Sequence, residues 1–127
     1  MSSLFTKIIA GEIPSYKVYE DEYVFAFLDI NPSRTGHTLV VPKKEVDQLF
    51  DLDDETYMHT MEGVRWVAQL LKTKLHCKRV CVVVEGYEVP HAHVHLLPTD
   101  SAEDFISRRP HKATEEELKE VHAKIVS

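Results

Sequence analysis

The chain has 127 residues, of which 43% are hydrophobic, and its formal net charge is −6 at pH 7. This length predicts a single domain over residues 1–127. The acidic balance argues against a broad surface for nucleic acid or for an anionic membrane. The first residues lack the long apolar core of a signal peptide, and no apolar run reaches membrane-spanning length. We therefore expect a cytoplasmic protein.

The first half of the chain predicts a short helix followed by three strands. The segment LFTKIIAG, residues 4–11, can form a helix that Gly11 ends. The segment YKVYEDEYVFAFLDI, residues 16–30, alternates around a turn and predicts a hairpin, with Phe25 and Phe27 on one face of its second strand. The segment NPSRTG is a loop by composition. HTLVVP predicts a buried strand that ends at Pro42.

The second half predicts one long helix, a second hairpin and a C-terminal helix. Apolar residues recur at spacings of three and four from about Asp53 to Leu75, as on one face of a helix. The run RVCVVVEG is typical of a buried strand, and YEVP would connect it to an antiparallel strand that holds three histidines. Thr114 and Glu117 form a capping box that opens the last helix. This order predicts an α+β fold with a largely antiparallel five-stranded sheet.

The segment PHAHVHLLP, residues 90–98, places His91, His93 and His95 at strict alternation. In a strand, all three imidazoles would share one face, with neighbours about 7 Å apart. Three interpretations compete: histidines tolerated on a polar face, a zinc site with His37 as a further ligand, or nucleophilic catalysis at phosphorus. No carboxylate is well placed in the nearby sequence to complete a zinc site, which disfavours the second. For catalysis, His93 is the natural nucleophile because it has a histidine on both sides.

The string HAHVHLL, residues 91–97, resembles the histidine triad (HIT) pattern, His-φ-His-φ-His-φ-φ with φ apolar. Residues 3–46 also resemble the amino-terminal half of the Hint-like branch, which is of the purine nucleoside phosphoramidase type. The resemblance implies a HIT-like fold with its core over residues 3–98 and a helical C-terminal tail over residues 99–127. It also implies a homodimer and a small-molecule purine nucleotide conjugate as substrate, with no metal or other cofactor.

The resemblance assigns a role to individual residues. The family's nucleophile maps to His93, His95 contacts the phosphate oxygens, and His91 holds His93 in its working tautomer. His37 matches a fourth histidine beside the triad. Asp29 matches the carboxylate that accepts hydrogen bonds from the ribose hydroxyls, and the less favoured alternative is an Asx-turn residue before NPS. The slot for the base corresponds to five apolar residues, each of which is as readily explained as core: Leu4, Phe5, Ile8, Phe27 and Ile30.

Two departures from the Hint pattern bear on the site. Ser3 and Thr6 stand where many relatives carry the cysteines of a structural zinc site, so we expect that site to be absent. The loop before the triad is also shorter than in the pattern, and Glu88 takes the place of a serine. The backbone N–H groups of Glu88 and Val89 remain candidates to cradle the phosphate, since they do not depend on the side chain.

Together these features predict a hydrolase of purine nucleoside 5′-phosphoramidates or related conjugates, acting through a covalent nucleotidyl-histidine intermediate on His93. Two alternatives stay open: a dinucleoside polyphosphate hydrolase, and a nucleotide-binding regulatory protein with incidental hydrolysis. Glu85 and Glu88 favour an amine leaving group over a polyanion. Cations of the tail would reverse this preference if they fold over the site, namely Arg108, Arg109 and Lys112.

Overall fold

The computed structural model describes residues 2–127, and its elements follow the predicted order with two additions. The first half contains α1 (Leu4–Ile9), β1 (Lys17–Glu20), β2 (Val24–Leu28) and β3 (Thr38–Pro42). The second half contains a 3₁₀ turn (Leu49–Asp51), α2 (Asp54–Leu75), β4 (Arg79–Val83), β5 (Val94–Thr99), α3 (Ala102–Ile106) and α4 (Glu115–Val126). The 3₁₀ turn and α3 were not predicted, because each is too short to show a periodic apolar stripe.

Five strands form one sheet in the order β1-β2-β3-β5-β4, and every neighbouring pair is antiparallel. The register of β3 with β5 places Leu39 opposite His95. The register of β4 with β5 places Val83 opposite the same histidine. The predicted α+β fold with a five-stranded antiparallel sheet is therefore confirmed, and β5 lies inside the sheet. The prediction of a buried strand in RVCVVVEG was wrong, because β4 lies at the edge of the sheet and is partly exposed.

The two faces of the sheet bury different clusters. Val24, Ala26 and Leu28 of β2 pack with residues of α2 and α4 in the larger cluster. Gly63 lets α2 approach closely, because a Cβ added there would lie 2.8 Å from a methyl group of Val24. Phe25 and Phe27 point to the other face, where α1 covers a smaller cluster. The predicted alternation along β2 is thus confirmed, and it separates the helical layer from the face that carries the histidines.

Capping side chains mark where the main helices begin. The carboxylate of Asp53 accepts the N–H of Thr56 at the start of α2. Thr114 accepts the N–H of Glu117 at the start of α4, which is one of the two hydrogen bonds of the predicted capping box. Within the described residues 2–127, none of the helices is both long and apolar enough to cross a membrane.

Candidate active site

The three alternating histidines do not all lie in one strand. Strand β5 begins at Val94, so His95 lies in the strand, whereas His91 and His93 lie in the segment that leads into it. The prediction of a strand from residue 91 was wrong because that segment has no strand partner: β4 ends opposite His95, and β3 pairs with β5 only as far as Val94. Ala92 still packs in the larger core cluster, so the alternation of sides persists without the strand.

The tautomer of His93 is set by a backbone carbonyl. Its Nδ1 donates to the carbonyl oxygen of His91 over 2.7 Å, and a carbonyl can only accept, so the proton lies on Nδ1 and the free lone pair on Nε2. The buried ring also packs edge-on against Phe5 and His95, with 4.9 and 5.0 Å between ring centroids. His91 therefore holds its neighbour through the main chain and not through its imidazole. This is the tautomer that a nucleophilic imidazole requires.

His37 and His95 form a second ordered pair of imidazoles. The Nδ1 of His37 accepts the backbone N–H of Ser33 at 3.1 Å, so its Nε2 carries the proton and donates to Nδ1 of His95 over 2.9 Å. Burial lowers the pKa of His37 to about 4 and also lowers the pKa of His95, so both rings are neutral near pH 7. The proton of neutral His95 is then on Nε2, where it can donate to a phosphate oxygen.

The imidazole of His91 joins a buried hydrogen-bond cluster. Its Nε2 donates to the carbonyl of Pro42 over 2.7 Å, and its Nδ1 accepts from the hydroxyl of Ser3 over 2.7 Å. The Ser3 oxygen also caps α1 by accepting the N–H of Thr6. A carboxylate oxygen of Glu45 accepts the N–H of Ser3 at 2.7 Å and the hydroxyl of Thr6 at 2.6 Å. The two residues at the positions of the zinc-site cysteines thus connect α1 to the triad through hydrogen bonds.

Asp29 lies just beyond the end of β2 and uses its two carboxylate oxygens differently. Oδ1 accepts the N–H of Asn31 at 2.8 Å, which is the Asx-turn contact considered from the sequence. Oδ2 lies 3.6 Å from Nε2 of His37, on the side of the histidines. Asp29 therefore forms the local turn with one carboxylate oxygen and faces the histidines with the other. The contact of Asp29 with a ribose stays a prediction.

The five apolar residues expected to hold a base divide into two groups. Phe5, Ile8 and Phe27 are buried in the cluster beneath α1, and the rings of Phe5 and Phe27 lie 5.6 Å apart. Leu4 and Ile30 are 47% and 59% exposed. The buried group forms core directly behind the triad, whereas the exposed pair is open to solvent. The contact of these residues with a base stays a prediction.

The loop between β4 and the triad presents backbone donors. Within the part of the chain that the structure describes, the N–H groups of Glu88 and Val89 have no protein acceptor, whereas the carbonyl of Val89 accepts the N–H of His91 at 2.8 Å. Gly86 has a φ of 73°, and a Cβ at this position would lie 3.9 Å from Cε1 of His93. The loop thus passes close to His93 at Gly86, and the two unpaired donors lie in the same loop. Their contact with a phosphate stays a prediction.

Two cavities flank His93 and His95. A cavity of about 480 Å³ is lined by His93 together with Gly86, Tyr87 and Phe50. A cavity of about 680 Å³, here called the His95 cavity, is lined by Asp29, His37, His95, Glu85, Glu88, Arg108 and Arg109. The tail therefore does fold toward the site. This is the condition under which the sequence predicted a reversed preference for the leaving group.

Two groups of side chains have the composition of a metal site. Asp29, His37 and His95 form one, and Glu85, His93 and His95 the other, with the ligand atoms of each group within 4.8 Å of one another. The sequence argument that no carboxylate is well placed near the histidines was therefore wrong. Asp29 comes from a loop distant in sequence, and Glu85 from the loop that leads into the triad. In the first group the Nε2 proton of His37 already occupies the space between the two imidazoles, so a metal ion would have to displace it.

Comparison with known proteins agrees with this geometry. Residues 10–102 match the family model described as the HIT domain. An uncharacterized HIT-like protein of Methanocaldococcus jannaschii is 46% identical over 100 residues, which cover 75% of this chain and 77% of that protein. The adenosine 5′-monophosphoramidase of Saccharomyces cerevisiae is 33% identical over 127 residues, covering 98% and 80% of the two chains. A crystal structure of a HIT-like protein from Bartonella henselae has a TM-score of 0.85 at 34% identity and covers 98% and 95% of the two chains. On the strength of the family match and of relatives that span most of its length, the chain belongs to the HIT family.

Proposed function

We propose that this HIT family hydrolase cleaves purine nucleoside 5′-phosphoramidates, or closely related nucleotide conjugates, by nucleophilic catalysis on His93. The observation that carries the proposal is the 2.7 Å hydrogen bond from Nδ1 of His93 to the carbonyl of His91, which leaves the Nε2 lone pair free. The arginines of the tail would favour a polyanionic leaving group, but Glu85 and Glu88 line the same cavity. The similarity to an adenosine 5′-monophosphoramidase over nearly the whole chain supports the phosphoramidate as substrate.

The reaction divides into two displacements at phosphorus. The Nε2 lone pair of His93 forms a bond to the α-phosphorus while the bond from phosphorus to the leaving nitrogen breaks, and the departing amine takes up a proton from solvent. Water then attacks the nucleotidyl-histidine, releases the nucleoside monophosphate and returns a proton to solvent. The imidazole ring of the adduct is cationic because it keeps its Nδ1 proton, so the bond to the His91 carbonyl becomes charge-assisted when the adduct forms. Imidazole itself supplies the nucleophile, and the proposal needs no metal.

The surrounding residues would bind the substrate in three places. The Nε2 proton of His95 and the backbone donors of Glu88 and Val89 are available to the phosphate oxygens. The carboxylate of Asp29 retains lone pairs beyond its Asx-turn bond for the ribose hydroxyls. Exposed Leu4 and Ile30 would contact the base.

The expected homodimer and cytoplasmic location stay predictions. Helix α2 exposes Met58 and Trp66, which are 59% and 56% accessible, and this supports the proposal that a second subunit covers part of the helix. Val67, one position further along, is fully buried against the sheet. Helix α2 therefore carries apolar side chains on its exposed side as well as on the side that packs against the sheet.

Replacement of His93 by Ala tests the proposed function. We expect kcat on adenosine 5′-phosphoramidate to fall by about three orders of magnitude or more, because the residue acts in the chemical step, while binding of the nucleotide product survives. His59→Ala is a matched control, since His59 lies on α2 and stacks on Tyr23 away from the cavities that flank the triad. Retention of more than about a tenth of wild-type turnover in His93→Ala would overturn the assignment of the nucleophile.

A further inference from the structure

We propose that Arg108 and Arg109 of the C-terminal tail form a subsite for a second anionic group of the substrate, a phosphate or carboxylate carried in addition to the scissile phosphate. The inference rests on the proposed function, because it takes the His95 cavity to hold part of a bound nucleotide conjugate. It adds a recognition element in the C-terminal tail, beyond residues 10–102, which match the HIT domain model.

Both arginines face the space beside the histidine that is expected to contact phosphate. Arg108 and Arg109 line the His95 cavity together with Asp29, His37 and His95. Burial is the main cause of the low pKa of His37, and the positive charge of Arg108 lowers that pKa further. The positive charge of Arg108 therefore acts on the pair formed by His37 and His95. An anion in this cavity would lie between the tail and that pair.

The guanidinium groups of these two arginines keep most of their donors available. Among residues 2–127, Arg34 has a carboxylate partner, Asp104 at 3.3 Å, whereas Arg108 and Arg109 have none within 4.0 Å. Arg108 stacks on the ring of Phe105 and donates once, to the carbonyl of that residue. Arg109 also donates once, to the carbonyl of Arg108. A guanidinium has five N–H donors in a planar fork, so both groups can still bind a phosphate or carboxylate bidentately.

The tail is held in place before any ligand arrives. The N–H of His111 donates to the carbonyl of Pro32 at 3.2 Å, and the N–H of Ala113 donates to the carbonyl of Ile30 at 3.2 Å. On the other side of the arginines, Asp104 of α3 pairs with Arg34. Both anchors attach to residues 30–34, the loop that follows Asp29. The arginines are thus fixed on both sides, so binding an anion requires little further ordering of the main chain.

The charges of the His95 cavity indicate where the second anion would lie. Glu85 and Glu88 line the same cavity and would repel an anion on their own wall, so the favourable position is the wall formed by Arg108 and Arg109. Two sources fit this position. One is a carboxylate on the amine leaving group, and the other is a phosphate on the ribose, because Asp29 lies in the same cavity.

The test compares three substrates: adenosine 5′-phosphoramidate, its N-glycine derivative with a free carboxylate, and adenosine 5′-phosphoramidate with a 3′-phosphate. The measured quantity is the ratio of kcat/KM for each anionic substrate to that for the first. In Arg108→Gln/Arg109→Gln we expect at least one ratio to fall by about 10-fold to 100-fold, as for loss of charge-assisted bonds. A fall for the glycine derivative assigns the leaving-group side, and a fall for the 3′-phosphate assigns the ribose side.

The controls separate a subsite from a general effect of charge. Lys112→Gln/Lys119→Gln removes the same charge from the tail at two exposed positions that do not line the His95 cavity. Arg109→Gln alone keeps the stacking of Arg108 on Phe105, so it serves if the double variant fails to fold. The subsite would be overturned if both ratios stayed within twofold of their wild-type values in the arginine variants. It would also be overturned if the ratios fell equally in the lysine control.

The same set of compounds distinguishes failure of the subsite from failure of the proposed function. If the wild type hydrolyses none of the three, the proposed function fails, and the conjugates can be titrated as stable ligands. A tighter Kd for an anionic conjugate than for adenosine 5′-phosphoramidate in the wild type, lost in the arginine variant, would still support the subsite. Equal affinities in both proteins would contradict it.

Discussion

At the scale of single residues, backbone groups set the tautomers of the histidines that face the cavities. The carbonyl of His91 fixes the proton of His93 on Nδ1, and the N–H of Ser33 fixes the proton of His37 on Nε2. Backbone amides do not titrate near neutral pH, so these orientations persist where side-chain partners would change charge. The sequence predicted that these histidines lie together, but not these partners, since a tautomer depends on where a carbonyl or N–H lies after folding.

Asp29→Asn tests the contact with ribose. An Asn side chain can keep the Asx-turn bond to the N–H of Asn31, so the substitution should spare the local fold while it removes the charge. We expect the binding of ribonucleotides to weaken by about 1 to 3 kcal/mol, and the binding of 2′-deoxynucleotides to weaken less, because they have already lost one hydroxyl. Calorimetric titration with AMP and 2′-deoxy-AMP measures both. Equal losses for the two sugars would leave Asp29 as a turn residue only.

At the scale of elements, the predictions succeeded where a long pattern determines the structure. The apolar stripe of α2 and the alternation of β2 were sufficient, because α2 packs one continuous face on the core and β2 packs each of its two faces on a separate cluster. The start of β5 was not predictable from the alternating histidines, since a strand begins where its partners begin. The bond between Ser3 and Glu45 joins residues 42 positions apart, and no local pattern indicates such a contact.

The attachment of α1 to the triad gives a prediction about stability. Ser3→Ala removes the N-cap of α1 and leaves Nδ1 of buried His91 without its hydroxyl donor. We expect the free energy of unfolding to fall by about 1 to 3 kcal/mol, since the loss of a cap and an unsatisfied buried acceptor act together. Urea denaturation of Ser3→Ala beside Ser2→Ala, an exposed neighbouring position, provides the comparison. A loss no larger than that of Ser2→Ala would show that the cluster contributes nothing.

At the scale of the whole molecule, the fold carries several histidines that it keeps neutral. Burial is the main cause that lowers the pKa of His37, His91 and His95, and the value for His37 is about 4. These rings come from the loop before β3, the segment before β5 and β5 itself, so only the assembled sheet brings them together. The tail completes the same region with Arg108 and Arg109. The sequence left the position of the tail open because residues 107–113 show no periodic pattern.

These neutral histidines predict that acid destabilises the protein. An unfolded histidine binds a proton below its ordinary pKa of about 6.5, whereas a folded one with a lowered pKa does not, so the unfolded state binds more protons in this range. The free energy of unfolding should therefore fall as the pH drops from about 6.5 toward the pKa of about 4 for His37. Urea midpoints at pH 7 and pH 5 measure the fall, which should be smaller in His37→Gln. A midpoint that stays level or rises on acidification would refute this sign.

The most direct test of the central claim is to trap the intermediate. Rapid mixing of the protein with α-phosphorus-labelled adenosine 5′-phosphoramidate, an alkaline quench and peptide mapping would locate any bound nucleotide. We predict that the label lies on His93, that it forms and decays at rates consistent with turnover, and that His59→Ala retains it while His93→Ala does not. Wild-type turnover without a labelled protein, or a label on any other residue, would contradict nucleophilic catalysis by His93.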